Sequence, residues 1–217
     1  MALKYVTNKV PYRIDFRRLS QMVAASTRRL GSDPKARVWT RRARQAVETR
    51  DKGIFVLRAA LGAGFLFAGL DKFLMLASKT PFTATGFLKF ATSGAWLSSD
   101  PKAIVNPTHG FWVSLAGNTG IMSIVDTLVV FGECAIGVAL ILGLATRFAG
   151  LAGAVMMALF YVANWSFATG PFNEQFMYGV IAGSIAILGA GAYALDSVVI
   201  SRLPAVGRIP VLRNALG

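Results

Sequence analysis

Cysteine and histidine are nearly missing: Cys134 and His109 are the only examples in 217 residues. One cysteine excludes an internal disulfide and a Cys-x-x-Cys redox pair. One histidine excludes a bis-His haem held by this chain alone. Together they leave no ligand set for structural zinc or an iron–sulfur cluster. No Gly-x-Gly-x-x-Gly follows a strand pattern and no Walker sequence occurs, so the usual nucleotide cradles are absent. Charge is scarce as well, at 15% of residues, where soluble chains carry about a quarter. No covalent or metal cofactor is expected. Any redox chemistry must use a bound diffusible carrier or a partner's cofactor.

What is present is oil. Hydrophobic residues make up 54% of the chain. Four long apolar runs stand out, at 53–76, 121–144, 149–168 and 172–200. A helix needs about 20 apolar residues to cross a bilayer core. Each run reaches that length, so the expected fold is all-α, an integral membrane four-helix bundle. Residues 77–120 form an outer loop between the first two spans.

The positive charge is unevenly placed. Residues 1–52 hold 14 Lys and Arg against four acids, which is +10 of the net +13. A basic segment next to a span marks the cytoplasmic side and meets anionic headgroups. The arm runs straight into a membrane run, so nucleic acid is not the expected partner. Membrane lipids and other subunits of a membrane complex, reached through residues 1–52, are. Phe16, Leu19, Val23 and Leu30 recur at helical spacing among arginines, which predicts a basic amphipathic helix. A second basic helix, over about Lys35–Asp51, leads into the first span. The arm is therefore basic, cytoplasmic and partly helical. Arg17-Arg18 is followed by too short an apolar stretch for a twin-arginine signal, and no cleavable signal precedes residue 53.

Lys and Arg are absent from the connection near Asn164–Pro171, and present in the 201–217 tail as Arg202, Arg208 and Arg213. Four crossings with both termini cytoplasmic satisfy these counts, in a multi-pass protein of the inner or plasma membrane. Trp96, Trp112 and Trp165 then fall near the outer interface, where amphipathic rings anchor.

Charges inside spans are costly and face a bundle interior, an interface or a function. At 100° per residue, Arg58, Gly62, Phe65, Gly69 and Lys72 share one face of the first span. Ala60, Gly64 and Ala68 form a second small-residue row suited to close helix approach. Asp126, Glu133 and Gly137 share a face of the second span, and Gly150, Met157, Tyr161 and Asn164 line up in the third. These faces predict packing, with Arg58 paired to Glu133. They also outline a polar pocket whose candidate residues are Arg58, Lys72, Asp126, Glu133, Tyr161, Asn164 and Trp165.

Three stretches carry a resemblance. The first span reads Leu57-Arg58-Ala59-Ala60-Leu61-Gly62, then Gly69-Leu70-Asp71-Lys72-Phe73. The second has Glu133, Gly137 and Leu140-Ile141-Leu142, then Gly143-Leu144-Ala145-Thr146-Arg147. The fourth ends Gly189-Ala190-Gly191-Ala192-Tyr193-Ala194-Leu195-Asp196. In this order they resemble the DoxX/DoxD family of small four-helix membrane proteins, over about residues 55–200. Ala192 and Ala194 stand where the family pattern has Arg and Ser. The resemblance implies a membrane subunit of a quinone-linked complex of the thiosulfate:quinone oxidoreductase type. In that role Arg58 or Lys72 would donate to quinone and Glu133 or Asp126 would relay protons. Tyr161 or Trp165 would flank the ring. The alternative is a non-catalytic accessory or assembly subunit of a larger respiratory or redox complex. A transporter is disfavoured, because no repeat or broken helix is evident.

Overall fold

A computed structural model describes residues 34–75, 78, 80–90, 106–165, 171–202 and 215–216. The expected amphipathic helix around Phe16–Leu30, Trp96 and most of the basic tail lie outside the described residues. Every regular element among the described residues is a helix. They are α1 (Pro34–Met75), α2 (Thr85–Phe90), α3 (His109–Ala116), α4 (Thr119–Leu142), α5 (Thr146–Asn164), α6 (Glu174–Leu188) and α7 (Leu195–Arg202). The chain divides into two compact units, Met1–Asp51 and Lys52–Gly217. In the first, Arg41, Arg42 and Arg44 are exposed and Arg50 pairs with Asp51 at 3.2 Å.

Three helices are long and apolar enough to cross a membrane: Arg41–Met75 within α1, then α4 and α5. Their outward faces carry large apolar side chains, with Phe67 82% and Leu74 72% exposed. Water would penalise such a surface, whereas lipid does not. The fourth run differs from expectation. Its helix, α6, has only 15 residues, about 22 Å of rise. The chain leaves the helix at Gly189 (φ 81°) and turns again at Gly191 (φ 70°). These left-handed conformations favour glycine and end helices. Hydropathy runs on through residues 189–194 and does not register the break.

Glycine sets the helix spacing. A Cβ on Gly137 would lie 2.5 Å from the Leu66 backbone nitrogen, and one on Gly62 would lie 2.9 Å from the Gly137 carbonyl oxygen. One on Gly69 would lie 2.7 Å from Cys134 N. Thus α1 and α4 run antiparallel in near-backbone contact, the arrangement small residues permit in membranes. Gly150 does the same for α5 against Ala182 and Ala186 of α6. Leu61, Phe65, Ile136, Leu140, Met157 and Ile185 fill the centre. The second predicted row behaves otherwise: Ala60 and Gly64 are exposed, and a Cβ on Gly64 would meet nothing within 4 Å.

The outer loop is partly folded. Ala84, Leu88, Trp112, Ala116, Met122 and Ala163 form a second apolar cluster. Trp112 is buried at 9% exposure and its Nε1 donates to Thr108 Oγ1 at 2.8 Å. It is a core residue, not the interfacial anchor that its position in the loop predicts. Buried Asn106 pins this loop to the end of α5, donating to Val162 O at 3.0 Å and Ala163 O at 2.7 Å.

Candidate functional site

The charged face of α1 serves two separate places. Arg58 is fully buried. Its Nη1 donates to Ala190 O at 2.6 Å and its Nη2 to Tyr193 O. Both acceptors lie in the non-helical stretch after α6. Backbone that leaves a helix at membrane depth must find partners inside the protein, and Arg58 supplies them. Gly143, the left-handed cap that ends α4 (φ 68°), lies against the guanidinium. A Cβ there would be 2.6 Å from Nη1 and from the Ala194 Cβ.

Asp196 completes this end. Ala145, which precedes α5, has no side chain able to cap the helix. The Asp196 carboxylate caps it from a distance, accepting from Ala145 N at 2.7 Å and Thr146 N at 2.9 Å. Asp196 N in turn donates to Gly143 O at 2.9 Å. Arg58, Gly143, Thr146 and Asp196, read in the sequence as scattered motif residues, therefore form one joint. Asp196 was visible as a charge in the fourth run, but nothing in its spacing pointed to α5.

The second place is built on Lys72 and Glu133. Lys72 Nζ donates to Glu133 Oε2 at 2.7 Å, and to Ala68 O at 3.2 Å. The Phe82 ring centroid lies 5.6 Å from the same ammonium. Glu133 is buried, and Gly69 lets it pack directly on α1. The expected Arg58–Glu133 pair does not form. Arg58 and Lys72 are 14 residues apart, about 21 Å along a helix, and Glu133 opposes the Lys72 end.

The α1 helix stops at Met75, one turn past Lys72. Glu133 lies beyond the midpoint of α4, so the first half of α4 is covered by other segments. Ala84 N donates to Asp126 Oδ1 at 2.7 Å, which ties residues 80–90 to α4. Between them lies a cavity of about 620 Å³, bounded by Thr83, Thr85, Lys89, Ser123, Asp126 and Phe131 among others. Of the predicted residues, only Asp126 lines it. The serine, threonines and Lys89 gave no sequence signal, since short polar residues near a span read as ordinary loop.

The remaining candidates sit at the end of α5. Tyr161 OH donates to Pro171 O at 3.0 Å, and its ring meets Phe176 at 5.8 Å. Asn164 is the last residue of α5 and Trp165 its C-cap; both are half-buried. Tyr161 is thus engaged with the α5–α6 connection.

A protein-family model described as "TQO small subunit DoxD" matches residues 54–212. This interval contains both polar places and excludes the basic arm. No curated protein and no solved structure matches the chain.

Proposed function

The chain belongs to the DoxX/DoxD-like family of membrane proteins, and from that premise we propose that it is the small membrane subunit of a quinone-linked redox complex. TQO is thiosulfate:quinone oxidoreductase, which supplies the reaction class. The observation that carries the reading is the Lys72–Glu133 pair, 2.7 Å apart within apolar helices. Ionisable residues at membrane depth are expensive and mark pathways for protons, ions or substrate. Asp126 lies seven residues, two turns, from Glu133 on the same face of α4. Reduction of a quinone consumes protons, and in this reading Asp126 and Glu133 relay them. Electrons come from a partner's cofactor, because the chain's single cysteine and single histidine cannot assemble a metal centre alone. The basic arm, residues 1–52, is the proposed contact with that partner and with anionic lipid.

The accessory-subunit reading draws on a different observation. The joint of Arg58, Gly143, Thr146 and Asp196 accounts for much of the family-like sequence by structure alone. Purification from native membranes in mild detergent separates the two. A complex that reduces quinone, and loses that activity in Lys72→Met while keeping its composition, supports the proposal. Full activity in both Lys72→Met and Glu133→Gln complexes would leave the accessory role.

A further inference from the structure

The cavity beside Asp126 runs along α4 and has a mixed lining. Thr83, Thr85, Lys89, Ser123 and Thr127 supply polar groups, and Met122, Val130 and Phe131 supply apolar surface. Thr119 and Phe131 both line it, and their separation of 12 positions corresponds to about 18 Å of rise. Phe131 is 53% exposed on the apolar flank and touches the Phe73 ring at 6.0 Å, so the Phe131 end opens toward lipid. Val130 is 1% exposed and forms a closed floor, one helical turn above Glu133.

Thr83 Oγ1 already donates to Thr85 Oγ1 at 2.9 Å, and the Lys89 ammonium is uncommitted. Lys89 is exposed and has no hydrogen bond or ion pair among the described residues. Asp126 spends one carboxylate oxygen on Ala84 N and leaves negative charge on the wall. An anionic head would meet that charge. A neutral head with hydrogen-bond acceptors and an apolar tail finds both donors and apolar surface in this lining. The volume, about 620 Å³, falls within the range of about 300–1,000 Å³ usual for small-ligand sites.

We propose that this cavity is the quinone site. Lys89 and the Thr85 and Ser123 hydroxyls donate to the ring carbonyls, and the tail leaves past Phe131 into the bilayer. This assignment rests on the quinone-linked reading above, and names residues that reading does not use.

The test uses the full chain in detergent, titrated with decylubiquinone and, in a second arm, a short-chain naphthoquinone. Tryptophan quenching is the readout, because Trp112 packs in one cluster with Ala116 and Met122, both of which line the cavity. Wild-type protein should show saturable quenching. Lys89→Ala should weaken binding about tenfold, the usual loss for a hydrogen bond from a charged donor. Ser123→Phe should fill the space and abolish binding, with helical circular dichroism unchanged in both variants. Binding that changes by less than about twofold in both variants overturns the placement and leaves the quinone-linked reading standing. Absence of saturable binding to wild-type protein, alone and in its native complex, defeats both. A phospholipid held by wild-type protein in native mass spectrometry, lost in Ser123→Phe and not displaced by decylubiquinone, makes the cavity a lipid site and overturns the proposal.

Discussion

Asp196 caps a helix to which it does not belong: Thr146, the first residue of α5, donates its backbone N–H to Asp196 Oδ2 at 2.9 Å. The same carboxylate also takes the Ala145 N–H, and Asp196 itself is fully buried. Losing a helix cap costs about 0.5–2 kcal/mol, and bonds to a charged acceptor lie at the upper end of that scale. Asp196→Ala should therefore lower the melting temperature in detergent clearly. Asp196→Asn keeps one acceptor oxygen and should fall between Ala and wild type. Equal melting of all three proteins would contradict the capping role.

The pairing of Lys72 with Glu133 makes a directional prediction. Removing one partner of a buried pair costs about 3–5 kcal/mol, because the other charge is left uncompensated. Glu133→Gln should reduce folded protein in the membrane. Adding Lys72→Met should restore much of it, since two neutral side chains leave no stranded charge. Adding Arg58→Gln instead should make matters worse, because Arg58 holds Ala190 and Tyr193 and not Glu133. Quantifying folded protein by fluorescence-detected size exclusion distinguishes the two double variants.

Two glycines on facing helices should respond oppositely to alanine. At Gly137 the new methyl would lie 2.5 Å from the Leu66 backbone, so α1 and α4 must separate. Overpacking of this kind costs about 1–3 kcal/mol. At Gly64 the methyl meets nothing within 4 Å, and a glycine inside a helix is worse than alanine by about 0.5–1 kcal/mol. Gly64→Ala should melt at or above wild type, and Gly137→Ala well below it.

How much of this could be read from sequence depends on the kind of contact. The face of Arg58, Gly62, Phe65, Gly69 and Lys72 is legible because helical periodicity within one segment fixes it. Which acid meets which base is not, since the register between α1 and α4 is absent from either periodicity. It is set by Gly62 and Gly69 interlocking with Gly137 and Cys134, and that places Glu133 opposite Lys72. The end of α6 was hidden for another reason: Gly189 to Ala194 are as apolar as a helix would be, and only their backbone angles differ. The cavity was illegible because α1 ends half-way along α4, and no composition records where one helix stops beside another.

The basic arm should be separable from the helices that follow it. Deleting residues 1–50 should leave α4 and α5 inserted, because their apolar lengths suffice. It should weaken binding to the partner or to anionic vesicles, where each cation near the surface contributes about 1 kcal/mol, and salt should mimic the deletion. Co-purification and vesicle flotation at low and high salt check this. Unchanged association in both would remove the arm from the interface.

Orientation is open to direct labelling. The charge counts predict both ends of the chain to be cytoplasmic, so single cysteines introduced at Lys9 and Arg208 in a Cys134→Ala background should resist an impermeant maleimide in intact cells and react once the membrane is opened. A residue 9 label gained only from outside would invert the arrangement. Protection of residue 9 with ready outside labelling of residue 208 would mean that the short α6 does not cross.

Arg58 reaches the membrane long before its acceptors exist. Ala190 and Tyr193 follow it by 132 and 135 residues. At translation rates of about 5–20 residues per second the delay is on the order of 10 s. During that interval the nascent first span holds a cation without the two carbonyl oxygens that later accept from it. Arrival of the 190–196 segment ends it. The Arg58 joint therefore closes only after α4, α5 and α6 have all been synthesised.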